Sequence, residues 1–174
     1  MTVWNAWPMP AYPPTFADDV IQQPARAQFE AFLNEHRVAL NGCLDGLSEE
    51  QARRSLVASR TTLLGLVKHA IFVEKVWFHV SLGGQTREEL GLPNHPNESF
   101  VLDDSDTIES VLAGYRQAWA EADEIAAAYE LDDLAQHNRR GPLTLRWIYV
   151  HLVEELARHA GHGDILREQV LASG

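Results

Sequence analysis

The sequence predicts an all-α fold, a four-helix bundle preceded by an extended N-terminal arm. Two observations carry that reading. Four long segments place apolar residues at helical spacing, each bounded by Gly, Pro or a capping residue. No segment alternates with period two, so no sheet is expected. At 174 residues the chain has the length of one domain with a substantial core.

Residues 1–17 read as the arm. Pro8, Pro10, Pro13 and Pro14 exclude regular helix there. Trp4, Trp7, Tyr12 and Phe16 make the stretch too apolar for a solvated tail. It is expected to pack on the domain or on a second subunit, so a homodimer is one expectation. Residues 18–174 then form the bundle domain. The first helix is expected from about Asp18 or Pro24 to Leu44, on the spacing of Phe29, Phe32, Leu33, Val38 and Leu40. Gly42 and Gly46 fray its end. Ser48-Glu49-Glu50-Gln51 reads as a capping box that opens a short helix. The second long helix runs from Thr61 or Thr62 to Leu82 and stops at Gly83-Gly84. A loop rich in Gly, Pro and Asn follows at residues 91–97. The third helix is expected from Asp106, with Glu109 as its capping partner, to about Tyr129. Gly141-Pro142 breaks the chain, and the fourth helix runs from Thr144 to about Val170. The connection before the third helix is long enough to cross the end of the bundle, so simple up-down-up-down order does not follow.

Charge and cysteine usage narrow the function classes. Asp and Glu number 25 against 14 Lys and Arg, a formal net charge of −11. Phosphates are held by basic patches, so neither nucleic acid nor an anionic membrane is an expected partner. The one cysteine, Cys43, excludes an intrachain disulfide and reads as a small buried hydrophobe. No apolar run reaches membrane-spanning length and no secretory signal opens the chain, so a cytoplasmic protein is expected.

The chemistry concentrates on the fourth helix. At about 100° per residue, His151 and His159 lie about 40° to either side of Glu155, and His162 about 20° away. Ile148 and Leu166 fall on the same stripe, so it should face the bundle interior. Three imidazoles and a carboxylate on one face suit a divalent metal such as zinc. On the second helix Thr62, Leu66, Val73, Val76 and Val80 share a face, with His69 near its middle. Bundles build metal sites from inward residues of different helices. One ligand from the second helix and two from the fourth would leave a coordination position open, as catalytic zinc sites do. Spacing leaves three pairs possible on the fourth helix: Glu155 with His159, His151 with Glu155, or His159 with His162. A buried ionised Glu is costly unless paired or bound to a cation, which favours Glu155 as a ligand.

The stretch Thr62-Leu63-Leu64-Gly65-Leu66-Val67-Lys68-His69-Ala70, followed by Val73-Glu74 and Trp77-Phe78, resembles the second-helix signature of the DinB-like superfamily. Trp147 through Glu168, with Glu154-Glu155, Ala157-Arg158-His159 and Gly161-His162, resembles its actinobacterial branch of mycothiol-dependent S-transferases, relatives of the metal-binding domain of mycothiol-dependent maleylpyruvate isomerase. The resemblance implies a bundle in up-down-down-up order. It implies a metal held by His69, Glu155 and His159, in the Glu-x-x-x-His form rather than the His-x-x-x-His of many members. Zinc is the expected ion, with nickel or another divalent metal open.

The implied activity is thiol S-transfer, in which a low-molecular-weight thiol, mycothiol first, becomes a metal-bound thiolate and attacks an electrophile. His162 and His151 are then candidates for orienting a ligand or moving a proton. Arg158 is a candidate for holding a carboxylate or sugar hydroxyl of the thiol, its other reading being a solvated Arg on the outer helix face. Two alternatives remain: a metal-dependent hydrolase using metal-bound hydroxide, and a non-catalytic, stress-related metal-binding dimer module.

Overall fold

The computed structural model describes residues 17–173. The expected arm, apart from Ala17, lies outside the described residues. A 3-10 turn at Ala17–Val20 leads to α1 (Ala25–Gly42), which begins one residue after Pro24 rather than at Asp18. A short α2 (Glu49–Arg53) follows, and then α3 (Leu63–Glu74). α3 continues without a break as a π-helical segment, Lys75–Leu82. The long connection carries a 3-10 turn at Pro96–Phe100. The chain then forms α4 (Ile108–Ala127), strands β1 (Leu134–Ala135) and β2 (Leu143–Thr144), and α5 (Leu145–Ala172).

Short polar side chains set the helix starts. The Ser48 hydroxyl accepts the Gln51 amide, while the Gln51 side chain accepts the Ser48 amide. The Thr62 hydroxyl accepts the Gly65 amide at 3.0 Å, and the Thr144 hydroxyl accepts the Trp147 amide at 3.2 Å. α4 departs from expectation: its cap is Thr107 and its reciprocal partner is Ser110, not Asp106 with Glu109. The Asp106 carboxylate is already taken by Lys68 at 2.7 Å and the Asp103 amide at 2.7 Å.

Cross-links between four pairs of helices give their directions. Arg26, at the start of α1, donates to the Tyr129 and Ala126 carbonyls at the end of α4, so these helices are antiparallel. Tyr149 near the start of α5 donates to Glu30 in α1, and Arg167 near the end of α5 donates to the Cys43 carbonyl just past α1, so α1 and α5 are parallel. Lys68 of α3 pairs with Asp106 before α4, and Tyr129 after α4 reaches the Leu82 carbonyl, so α3 and α4 are parallel. α3 faces α5 in the opposite sense, since His69 meets Glu155 and His159, while Trp77 meets Trp147. The bundle is therefore up-down-down-up. Leu33, Leu40, Leu66, Phe78, Tyr115, Ile148, Leu152 and Leu156 fill its centre, all fully buried.

Two features were not expected. β1 and β2 pair antiparallel, Leu134 opposite Thr144 and Ala135 opposite Leu143. Strands of two residues are too short to show alternation. In the π segment the Gly83 amide bonds the Phe78 carbonyl at 2.8 Å, five residues back. The Ser81 hydroxyl donates to the Val76 carbonyl at 3.0 Å, which ties up a carbonyl in the widened turn. Just before this segment, Glu74 forms a bidentate pair with Arg37 at 2.7 and 2.8 Å, and both side chains are buried. Asp123 and Asn34 accept from the guanidinium's remaining terminal nitrogen at 2.8 and 2.9 Å. Burial works against the Arg37 charge, but Glu74 and Asp123 outweigh it and hold its pKa above the ordinary value.

Candidate metal centre

The antiparallel contact of α3 with α5 brings His69, Glu155 and His159 together. Their ligand atoms all lie within 4.8 Å of one another. Nε2 of His69 is 3.4 Å, and Nε2 of His159 is 3.2 Å, from the same carboxylate oxygen, Oε1 of Glu155. Local structure explains the convergence. Glu155 and His159 stand one turn apart on α5, and His69 lies two turns into α3, whose start is fixed by the Thr62 cap. His69 is 4% exposed, while the side chains of His159 and Glu155 are 12% and 23% exposed, so the cluster reaches solvent on the Glu155 side.

The turn at Pro96–Phe100 supports His69 from behind. The Ser99 hydroxyl lies 2.7 Å from Nδ1 of His69 and donates its own proton to the Pro96 carbonyl at 2.5 Å. With that proton engaged, Ser99 accepts from Nδ1–H. The tautomer is thereby set, and Nε2 presents a lone pair to Glu155. The Phe100 ring stacks on His69 at 4.0 Å and 14°. Gly65 permits this close seat, since a Cβ there would come within 2.9 Å of the Phe100 carbonyl oxygen.

The donor set fits a divalent cation. Nε2 of His69 and Oε1 of Glu155 are both acceptors, and two acceptors at this separation repel unless a cation lies with them. Two imidazole nitrogens and a carboxylate oxygen are ligands that zinc and similar ions take, one short of a closed tetrahedral site. The hydrogen bond from His159 is the leading cause that holds the Glu155 carboxyl well below the usual carboxylate range, against its burial. Burial lowers the His69 pKa, opposed by Glu155, so the ring stays neutral and able to ligate at neutral pH.

The other expected residues take different places. His162 is exposed, its ring 5.7 Å from that of His159. His151 lies one turn before Glu155, stacked on Trp147 at 4.9 Å and set edge-on to Trp77 at 4.7 Å. Burial lowers its pKa, with Arg140 acting in the same direction and Glu155 against it. Arg158 pairs with Glu154 at 2.8 Å on the exposed side of α5. Cys43 sits buried at the end of α1, where burial pushes its thiol up to about 12. Ser99, Phe100 and Trp77 escaped sequence reasoning as parts of the site. No spacing rule connects a loop Ser at residue 99 with an imidazole at 69. Among the described residues no helix is long and apolar enough to cross a membrane.

A family model described as mycothiol-S-transferase matches residues 28–172. That span contains all three converging residues. A search of curated proteins finds no match.

Proposed function

The chain belongs to the mycothiol S-transferase family, and from that premise we propose that it transfers mycothiol to an electrophile at the His69–Glu155–His159 cluster. The observation that carries this reading is the convergence of two imidazole nitrogens on one carboxylate oxygen, at 3.4 and 3.2 Å. His69, Glu155 and His159 would hold a divalent ion, with zinc proposed first. Such an ion supplies positive charge that favours the thiolate form of a thiol bound beside it at neutral pH.

The chain's own residues prepare that site. Ser99 holds the His69 tautomer with its lone pair toward Glu155. Phe72 and Phe100 flank His69 and keep water from its rear face. Glu155 offsets positive charge in the cluster and, being partly exposed, lines the approach for substrates. His162, exposed beside His159, and His151, on the other side of Glu155, are the proposed groups for moving the thiol proton. Arg158 is the proposed contact for the sugar hydroxyls of the thiol, released from Glu154 when the thiol binds. Cys43 serves no nucleophilic purpose, since its thiol stays protonated.

The test is an activity screen of metal-loaded protein with mycothiol, bacillithiol or glutathione, each against several electrophiles. Product formation that requires mycothiol supports the proposal. Turnover without any thiol would instead indicate a hydrolase. Replacing His162 or His151 by Ala should lower kcat and leave bound metal unchanged. Unchanged kcat in both variants removes them from the proton route.

A further inference from the structure

The loop between β1 and β2 places a cation, which the metal chemistry does not use, over Trp147, two helical turns before Glu155 on α5. The Arg140 guanidinium lies 5.5 Å from the Trp77 ring centre and 5.8 Å from that of Trp147. Trp147 in turn stacks on His151, one turn before Glu155 on α5. The loop is fastened in place. The Asn138 amide donates to the Ser81 hydroxyl at 2.9 Å, the His137 amide bonds the Ser81 carbonyl at 3.2 Å, and the Asn138 side chain accepts the Arg140 amide at 2.9 Å. Ser81 belongs to the π segment that also carries Trp77. The π segment thus fixes both the loop and one of the two indoles beneath Arg140.

Among the described residues no carboxylate pairs with the Arg140 guanidinium, in a chain of net charge −11. By contrast, Arg146 and Arg158 are both paired with carboxylates. Trp147 is 41% exposed, so its indole and the guanidinium edge are open together. His151 stacks on Trp147 and Arg140 lies over the same indole, so a flat anion would set its ring against the exposed edge of Trp147 and its carboxylate on the outward N–H donors of the guanidinium. Mycothiol itself bears no carboxylate, so the anion belongs to the other reactant.

We propose that Arg140, Trp147 and Trp77 form a subsite for a planar conjugated or aromatic carboxylate, the electrophilic partner in the reaction. The proposal rests on the thiol-transfer reading for the word "electrophilic", but the binding it asserts is independent of turnover. Arg140 acts as the specificity-determining residue, and His151 fills the space between the subsite and Glu155.

The test is direct calorimetric binding of two probes, cinnamate and its neutral counterpart cinnamide, to the metal-loaded chain. Cinnamate should bind about tenfold or more tightly than cinnamide, the scale of one charge-assisted hydrogen-bonded contact. Arg140→Gln should abolish that preference and Arg140→Lys should retain part of it. Trp147→Ala should weaken both probes. Arg139→Gln serves as the control for general charge and should change neither. Metal content and thermal midpoint, measured on every variant, confirm that fold and cluster persist. The proposal is overturned if wild type does not bind cinnamate, or binds the two probes equally, or if Arg140→Gln keeps the full preference. Thiol-dependent turnover of other electrophiles by wild type would meanwhile stand, which separates failure of this subsite from failure of the thiol-transfer reading.

Discussion

The Ser99 hydroxyl accepts a hydrogen bond from Nδ1 of His69 at 2.7 Å, and in doing so aims Nε2 at Glu155. The 3-10 turn that carries Ser99 comes from the connection between the parallel helices α3 and α4, not from any helix of the bundle. Parallel neighbours need a long crossing segment, and this one returns over α3 to buttress its histidine.

Ser99→Ala should therefore weaken metal retention without removing a ligand. Loss of an outer hydrogen bond to a ligating imidazole costs roughly 10–100-fold in affinity. Competition with a chelator of known affinity reads this directly. Unchanged retention would mean that Ser99 does not set the tautomer.

Gly65→Ala offers an unusual sign. In an ordinary helix interior this exchange stabilises by about 0.5–1 kcal/mol. Here a Cβ meets the Phe100 carbonyl oxygen and the Thr62 hydroxyl, each at 2.9 Å. The 96–100 turn must shift, so denaturant unfolding should show a loss of stability, accompanied by weaker metal binding. A gain in stability would show that the turn is not seated as described.

Acid should destabilise the metal-free protein, for two groups with the same sign. Burial lowers the His69 pKa, and the hydrogen bond from His159 lowers that of Glu155. Each group binds a proton more readily in the unfolded chain. Their contribution is complete above the unfolded values, about 6.5 for His and 4.3 for Glu. It is lost as the pH falls through each depressed folded value. Urea midpoints measured from pH 7.5 down to 4 should fall, first through His69 and then through Glu155. In Glu155→Gln the lower part of the fall should shrink, and an unaltered pH profile in that variant would contradict the assignment.

Glu74→Gln tests the buried pair at the start of the π segment. Removing one charge leaves Arg37 buried with only the half-exposed Asp123 to neutralise it. Breaking such a pair typically costs about 3–5 kcal/mol. The double exchange Arg37→Met with Glu74→Leu should recover much of that loss, as seen by equilibrium unfolding. Equal loss in the single and double variants would show that the pair is needed for more than mutual neutralisation.

How far the sequence reaches depends on the range of the interaction. Thr62 and Thr144 are readable as caps because capping is local, and His69, Glu155 and His159 stand out as polar groups on apolar helix faces. Helix order required the family resemblance, since composition says nothing about direction. Asp106 reads locally as the cap of α4, but Lys68, distant in sequence, claims its carboxylate and Thr107 caps the helix instead. The π segment hides in a run that is apolar on nearly every face, where a change from 3.6 residues per turn leaves no trace in the pattern. Ser99, Phe100 and Arg140 come from loops, and nothing in their spacing records what they touch.

The central claim is that one metal cluster serves one thiol. It is tested most directly by following mycothiol consumption against product formed, with the protein metal-loaded, chelator-stripped, and carrying His159→Ala. One mycothiol should be consumed per product in the loaded wild type, and the rate should fall at least roughly 10²-fold in the other two. Full turnover after metal removal, or product formed without mycothiol, would contradict it.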